Sequence, residues 1–119
     1  FGDEFLAQAI HAGAVARRRA AHLLQVIVDD GLERGAFLRA VGTVVARTRT
    51  EKGCIDYGGY EDATVPNEFI FFECWESQAA IDTHFAMPHT TAFLQLAGTV
   101  VTEPPSIMAY KVSAARKLA

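Results

Sequence analysis

Apolar residues change their period several times along the chain, and each change marks an element. Leu23 to Val28 is a short, nearly continuous apolar run rich in branched side chains, the pattern of a strand covered on much of both faces. Asp29-Asp30-Gly31-Leu32-Glu33 follows, with a glutamate three residues after Asp30, the spacing of a capping box, and predicts a helix start. Phe37, Val41, Val44, Val45 and Thr48 then recur at helical intervals as one inward stripe. Lys52-Gly53 supplies a cationic last turn and a glycine stop, which puts the end of that helix near Lys52.

Cys54 to Glu61 and Glu68 to Glu76 read as aromatic-rich strands joined by Asp62-Ala63-Thr64-Val65-Pro66-Asn67, a turn by composition. In the second strand Phe69, Phe71, Glu73 and Trp75 share one face, while Ile70, Phe72, Cys74 and Glu76 share the other. Ser77 can cap a second helix that carries Ile81, His84 and Phe85 on one side, so His84 is expected to point inward. Pro88 interrupts it, and a third helix begins around His89 with Phe93, Leu94, Ala97, Val100 and Val101 as its apolar stripe. Glu103-Pro104-Pro105 stops that helix, and Ile107 to Val112 alternates as a closing strand.

Strand, helix, strand, strand, helix pair, strand is the order of an α+β, ferredoxin-like split βαβ domain, an antiparallel sheet with helices on one face. Both faces of the hairpin are apolar, and the helices suffice for only one. A second subunit covering the remaining face, in a symmetric homodimer, is the economical expectation. Residues 1–21 stand apart: Phe5, Leu6, Ala9, Ile10 and Gly13 have helical spacing ahead of Arg17-Arg18-Arg19, and the acidic excess of the chain lies beyond them. They read as an appended helix, 22–113 as the domain, and 114–119 as a tail.

With 119 residues, 50% hydrophobic and 21% charged, the chain fits one domain with a core and excludes general disorder. A net charge of −3 gives no reason to attract nucleic acid or anionic lipid. No run is long and apolar enough for a membrane helix, and no signal peptide is read around Ala14-Val15-Ala16, because Gln8 and His11 interrupt the apolar stretch. Two cysteines, Cys54 and Cys74, are too few for a disulfide framework and lack a zinc or redox spacing. They are assigned packing, facing each other across the hairpin, in a reducing, cytoplasmic chain.

Glu51-Lys52-Gly53-Cys54 through Tyr57, then Pro66-Asn67-Glu68-Phe69, Glu73-Cys74-Trp75-Glu76-Ser77 and His84-Phe85-Ala86-Met87-Pro88-His89 with Phe93, resemble the antibiotic biosynthesis monooxygenase family, and within it the quinol monooxygenases. The resemblance covers about residues 22 to 113. It implies a dimeric α/β barrel, two ferredoxin-like subunits packed sheet to sheet, and an oxygenase that needs no cofactor and acts on a hydroquinone or polycyclic phenol. Haem-degrading relatives place a histidine where this chain aligns Leu94, a departure that argues against haem as substrate.

Removing a phenolic proton makes an electron-rich anion that can pass an electron to dioxygen, so such a site needs a base and an apolar, water-poor cavity. His84 is the leading candidate base, because neutral imidazole accepts a proton near neutral pH; the bland account is a packed, hydrogen-bonded histidine at a helix end. His89 is a candidate for substrate contact or for organising the bend. Trp75, Phe69 and Phe71 can stack on a flat ligand or simply fill the core, and alternation does not say which hairpin face meets the helices. Tyr57 and Tyr60 lie on opposite faces, so at most one serves a given cavity. Asn67 can bond a substrate oxygen, though turn geometry alone explains an asparagine there. Glu73 is a possible second acid or base if buried, or one half of an ion pair across a dimer. A metal set of His84, His89 and Glu73 is conceivable, but nothing in the spacing demands it, and no metal site is assigned. Against the oxygenase stand an oxygen-independent isomerase or lyase on a small signalling metabolite and a non-catalytic dimeric binding or stress-associated module. No glycine-rich dinucleotide fingerprint appears.

Overall fold

A computed structural model of the chain describes residues 20–27, 32–101 and 106–119. The appended N-terminal helix, the Asp29-Asp30 cap and the Glu103-Pro104-Pro105 stop lie outside these residues. The elements run β1 (Ala20–Ile27), α1 (Leu32–Thr48), β2 (Cys54–Glu61), β3 (Glu68–Trp75), α2 (Gln78–Phe85), α3 (Pro88–Val100) and β4 (Ser106–Lys111). All strand pairs are antiparallel, in the order β2-β3-β1-β4. This is the ferredoxin-like α+β arrangement that the element order predicts, with β3 inserted between the two strands that α1 connects.

The helices cover the Phe69, Phe71, Glu73 and Trp75 face. Phe37 of α1, Phe93 and Ala97 of α3, and Ile81 of α2 close over Phe69, Phe71 and Trp75 in one buried cluster. The α1 stripe turns inward as read, with Phe37, Val44 and Thr48 buried. Phe72 and Cys74 turn to the opposite face and are buried as well.

Three sequence expectations are corrected. Helix α1 ends at Thr48, four residues before Lys52, because the chain tightens there: Thr50 N–H donates to the Arg47 carbonyl and Glu51 N–H to that of Thr48. Gly53 then takes a positive φ of 88° to turn into β2. The two cysteines do not face each other. A β-bulge between Cys54 and Asp56 sets Cys54 opposite Trp75, on the helix side, while Cys74 pairs with Asp56 and points away. Finally, β1 starts at Ala20, ahead of Leu23, and β4 starts at Ser106.

At the hairpin turn, Asp62 Oδ1 accepts from the N–H and hydroxyl of Thr64 and from the N–H of Val65, and Asn67 adopts a left-handed φ of 67°. Arg34 ties this turn to α1. Its guanidinium donates to Glu61 Oε2 and Oε1 at 2.7 and 2.8 Å and to Asn67 Oδ1 at 2.6 Å, while the Asn67 N–H donates to Glu61 Oε2 at 2.8 Å. These donors hold the Glu61 carboxyl at about 2, below its usual 4.5. A carboxyl depressed in the folded state stabilises it above the ordinary value and loses that contribution as pH falls through the folded one. Wild-type protein is therefore expected to lose more stability than Glu61→Gln as pH drops from about 4.5 to about 2. Urea midpoints of both across that window are the check, and parallel curves would refute it.

Candidate functional site

The end of the sheet away from the hairpin turn gathers a second set of titratable groups, Glu51, His84, His89 and Glu73. The Arg49–Gly53 turn places Glu51 under the break between α2 and α3. The break follows from sequence. Ser77 caps α2 by accepting from Ala80 N–H, α2 closes at Ala86 with its N–H on the carbonyls of Thr83 and His84, and Pro88 starts α3 at a position where no N–H is needed. The bend brings the rings of His84 and His89 to 6.2 Å between centroids.

Glu51 Oε2 joins them: it lies 2.8 Å from His84 Nδ1 and 2.6 Å from His89 Nε2. The Thr90 hydroxyl is 3.2 Å from the same His84 nitrogen. His84 and Glu51 side chains are 2% and 5% exposed, and His89 is 16% exposed. An ionised carboxylate only accepts hydrogen bonds, so each imidazole turns an N–H toward it. In the neutral rings this assigns the lone pairs to Nε2 of His84 and Nδ1 of His89. Around His84 pack Trp75, Tyr57 and Phe85, with centroids at 4.8, 5.4 and 5.5 Å.

Behind this triad lies Glu73, buried, with Oε1 accepting from the Trp75 indole N–H at 3.0 Å. Burial, and then the negative charges of Glu73 and Glu51, push the Tyr57 hydroxyl well above the usual phenol range and the Cys54 thiol up to about 12. Cys54 is thus expected to stay thiol at neutral pH. Its alkylation by iodoacetamide in folded protein should run at least about tenfold slower than in urea, and equal rates would contradict the assignment.

A cleft of about 560 Å³ opens between α1 and α3 over this cluster, lined by Ala40, Val44, Arg47, Phe93 and His89 among others. That volume lies within the usual range for small-molecule sites, and the lining is mostly apolar. His89 is the member of the triad that reaches it.

Of the residues singled out in the sequence, His84, His89, Tyr57, Trp75 and Glu73 come together, with Phe71 in the adjoining core. Asn67 does not: it sits at the other end of β3, on the order of 25 Å away along an extended strand. It is engaged by Arg34 and the turn. The carboxylate beside the two histidines is Glu51, not Glu73. Sequence reading passes over Glu51 because a charged residue ahead of Lys52-Gly53 reads as a solvated helix end; its place at the head of the Glu51-Lys52-Gly53-Cys54 motif was the available signal.

The sequence pattern of the antibiotic biosynthesis monooxygenase family matches residues 28–96. An uncharacterised protein of Synechocystis sp. is 37% identical over 82 residues, which are 69% of this chain and 56% of that protein, so the chain spans little more than half of that relative. The fold is similar to a crystal structure from Deinococcus radiodurans provisionally named an antibiotic biosynthesis monooxygenase, with TM-score 0.75, 25% identity, and 84% and 97% of the two chains covered. It is also similar to Rv0793 of Mycobacterium tuberculosis, with TM-score 0.70, 23% identity, and 84% and 99% covered. No helix among the described residues is long and apolar enough to cross a membrane.

Proposed function

We propose that this chain, which belongs to the antibiotic biosynthesis monooxygenase family, is a cofactor-independent monooxygenase that oxidises a quinol or polycyclic phenol with dioxygen in the α1–α3 cleft. The observation that carries the reading is His89 in the wall of an apolar cleft, hydrogen-bonded through Glu51 to the buried His84. The phenolic hydroxyl gives its proton to the lone-pair nitrogen of an imidazole, His89 at the cleft with His84 behind it. The imidazolium formed is stabilised by the Glu51 carboxylate, as an acidic partner orients and stabilises a catalytic histidine elsewhere. The phenolate passes an electron to dioxygen, and the two radicals join in a carbon–oxygen bond. The hydroperoxide then loses water, leaving one oxygen atom on the ring as a carbonyl. Electrons lost by the substrate equal those gained by dioxygen, so no outside reductant is required. Trp75, Tyr57 and Phe71 form the apolar ground beneath the cluster, where poor solvation strengthens the charge pair.

Dioxygen uptake by chelator-treated protein across a panel of hydroquinones and polycyclic phenols tests this, with His84→Ala and His89→Ala run beside it. Uptake above the autoxidation blank that both variants lose supports the reading; no uptake on any member of the panel sinks it. The working form is inferred to be a homodimer. Exposed Met108 on the edge strand β4, in register through Leu23 with Phe72 on the sheet face opposite the helices, favours a second copy against the sheet, and a single monomeric species in sedimentation at micromolar concentration would refute it.

A further inference from the structure

Two imidazole nitrogens and one carboxylate oxygen from three separate segments, all within 4.8 Å of one another, form a set of ligand atoms suited to more than proton sharing. The geometry points to a binding site for a divalent first-row transition ion, zinc above all, held by Glu51 Oε2, His84 Nδ1 and His89 Nε2. Neutral imidazole and carboxylate are the ligands that zinc and its neighbours favour, and three protein ligands leave a fourth position for water. Around a tetrahedral ion with bonds of about 2.0–2.1 Å, ligand atoms stand roughly 3.3 Å apart. To reach that geometry the present separations of 2.8 and 2.6 Å from Glu51 widen by roughly half an ångström, while the two imidazole nitrogens, within 4.8 Å of each other, draw together across the α2–α3 break. The cleft gives the route in, because His89, the most exposed of the three ligands, lines it. Thr90, whose hydroxyl is 3.2 Å from His84 Nδ1, is placed to bond a water on the ion.

Occupancy has a consequence that rests on the reading of the cluster as a base. The ion takes the place of the two N–H protons that now point at Glu51, so each imidazole must carry its proton on the other nitrogen. Those are the lone pairs the oxygenase reaction uses. Metal-loaded protein therefore loses the base, and zinc acts as an inhibitor that competes with the catalytic tautomer instead of as a cofactor.

The test is a titration of metal-stripped, folded protein with cobalt(II), followed by visible absorption, with zinc(II) affinity measured by calorimetry. Glu51→Gln and His89→Gln are run in parallel, each checked for native far-UV dichroism. The expected result is one equivalent of cobalt giving d–d bands of a low-symmetry site, displaced by zinc, with affinity falling about tenfold or more in both variants. Absence of a saturable band overturns the proposal, as does binding that both variants retain unchanged. Should Glu51→Gln fail to fold, His89→Gln, at the more exposed ligand, decides alone. Both readouts are taken without substrate or dioxygen, so a failed oxygenase assay leaves them standing. Conversely, uptake that persists in full at saturating zinc would overturn the inhibitory consequence while the site itself survives.

Discussion

Exchanging Glu51 for glutamine is expected to lower substrate-dependent dioxygen uptake by about 10²–10⁴-fold, with KM little changed. The carboxylate accepts from both imidazoles at once, at 2.8 and 2.6 Å, and so fixes which nitrogen of each ring keeps its lone pair. Glutamine is nearly isosteric but presents an NH₂ group as well as an oxygen. One histidine must then turn a lone pair toward the amide and its N–H toward the substrate, the wrong tautomer for accepting a proton. The developing imidazolium also loses its counter-charge, which in a site this buried is worth more than in water. KM is the control, because Glu51 is not among the residues that line the cleft. Oxygen-electrode kinetics on purified protein separate the cases. A fall in kcat alone fits the base reading, whereas unchanged kcat with a lower melting temperature would reduce Glu51 to a structural hydrogen-bond partner.

Much of this molecule is legible from its residues one element at a time. Alternation and turn chemistry locate β2 and β3 almost to the residue, and the spacing of Ile81, His84 and Phe85 turns His84 inward as it is found. Local pattern suffices there because each element buries one face. It fails where position depends on several elements meeting. Cys54 changes face through a bulge, which alternation does not foresee. Whether the Trp75 face meets helices or a partner depends on the crossover of α1, a property of the whole sheet. Glu51 is the clearest case: charged, in a polar turn between Arg49 and Lys52, it gains meaning only because the break at Pro88 brings His84 and His89, 33 and 38 residues away, onto its carboxylate. The rule that charged residues stay outside is overridden at the point where function is proposed, as expected when a site departs from the local pattern.

Phe37→Ala should produce the largest loss of stability among single substitutions, about 3–5 kcal/mol, out of a total that for a domain of this size is about 5–15 kcal/mol. Phe37 is fully buried, with ring centroids 5.0 Å from Phe69 in β3 and 5.8 Å from Phe93 in α3, so it joins α1 to both the sheet and the third helix. Truncation removes the edge contact with Phe69 and the tilted contact with Phe93, and leaves a cavity that a sheet on one side and a helix on the other can only partly close. Urea denaturation measures the effect, and a loss below about 1.5 kcal/mol would show that α1 relaxes freely into the gap. The consequence reaches the site by a specific path. Ala40 and Val44, one and two turns along α1, and Phe93 itself line the cleft, whereas Glu51, His84 and His89 are held by the Gly53 turn and the α2–α3 break. In protein kept folded at low temperature, the cleft should loosen while the cluster stays intact. Phe37→Ala is therefore expected to raise KM with kcat nearly preserved, the opposite split from Glu51→Gln, and a matching fall in kcat would mean that cleft and cluster are a single mechanical unit.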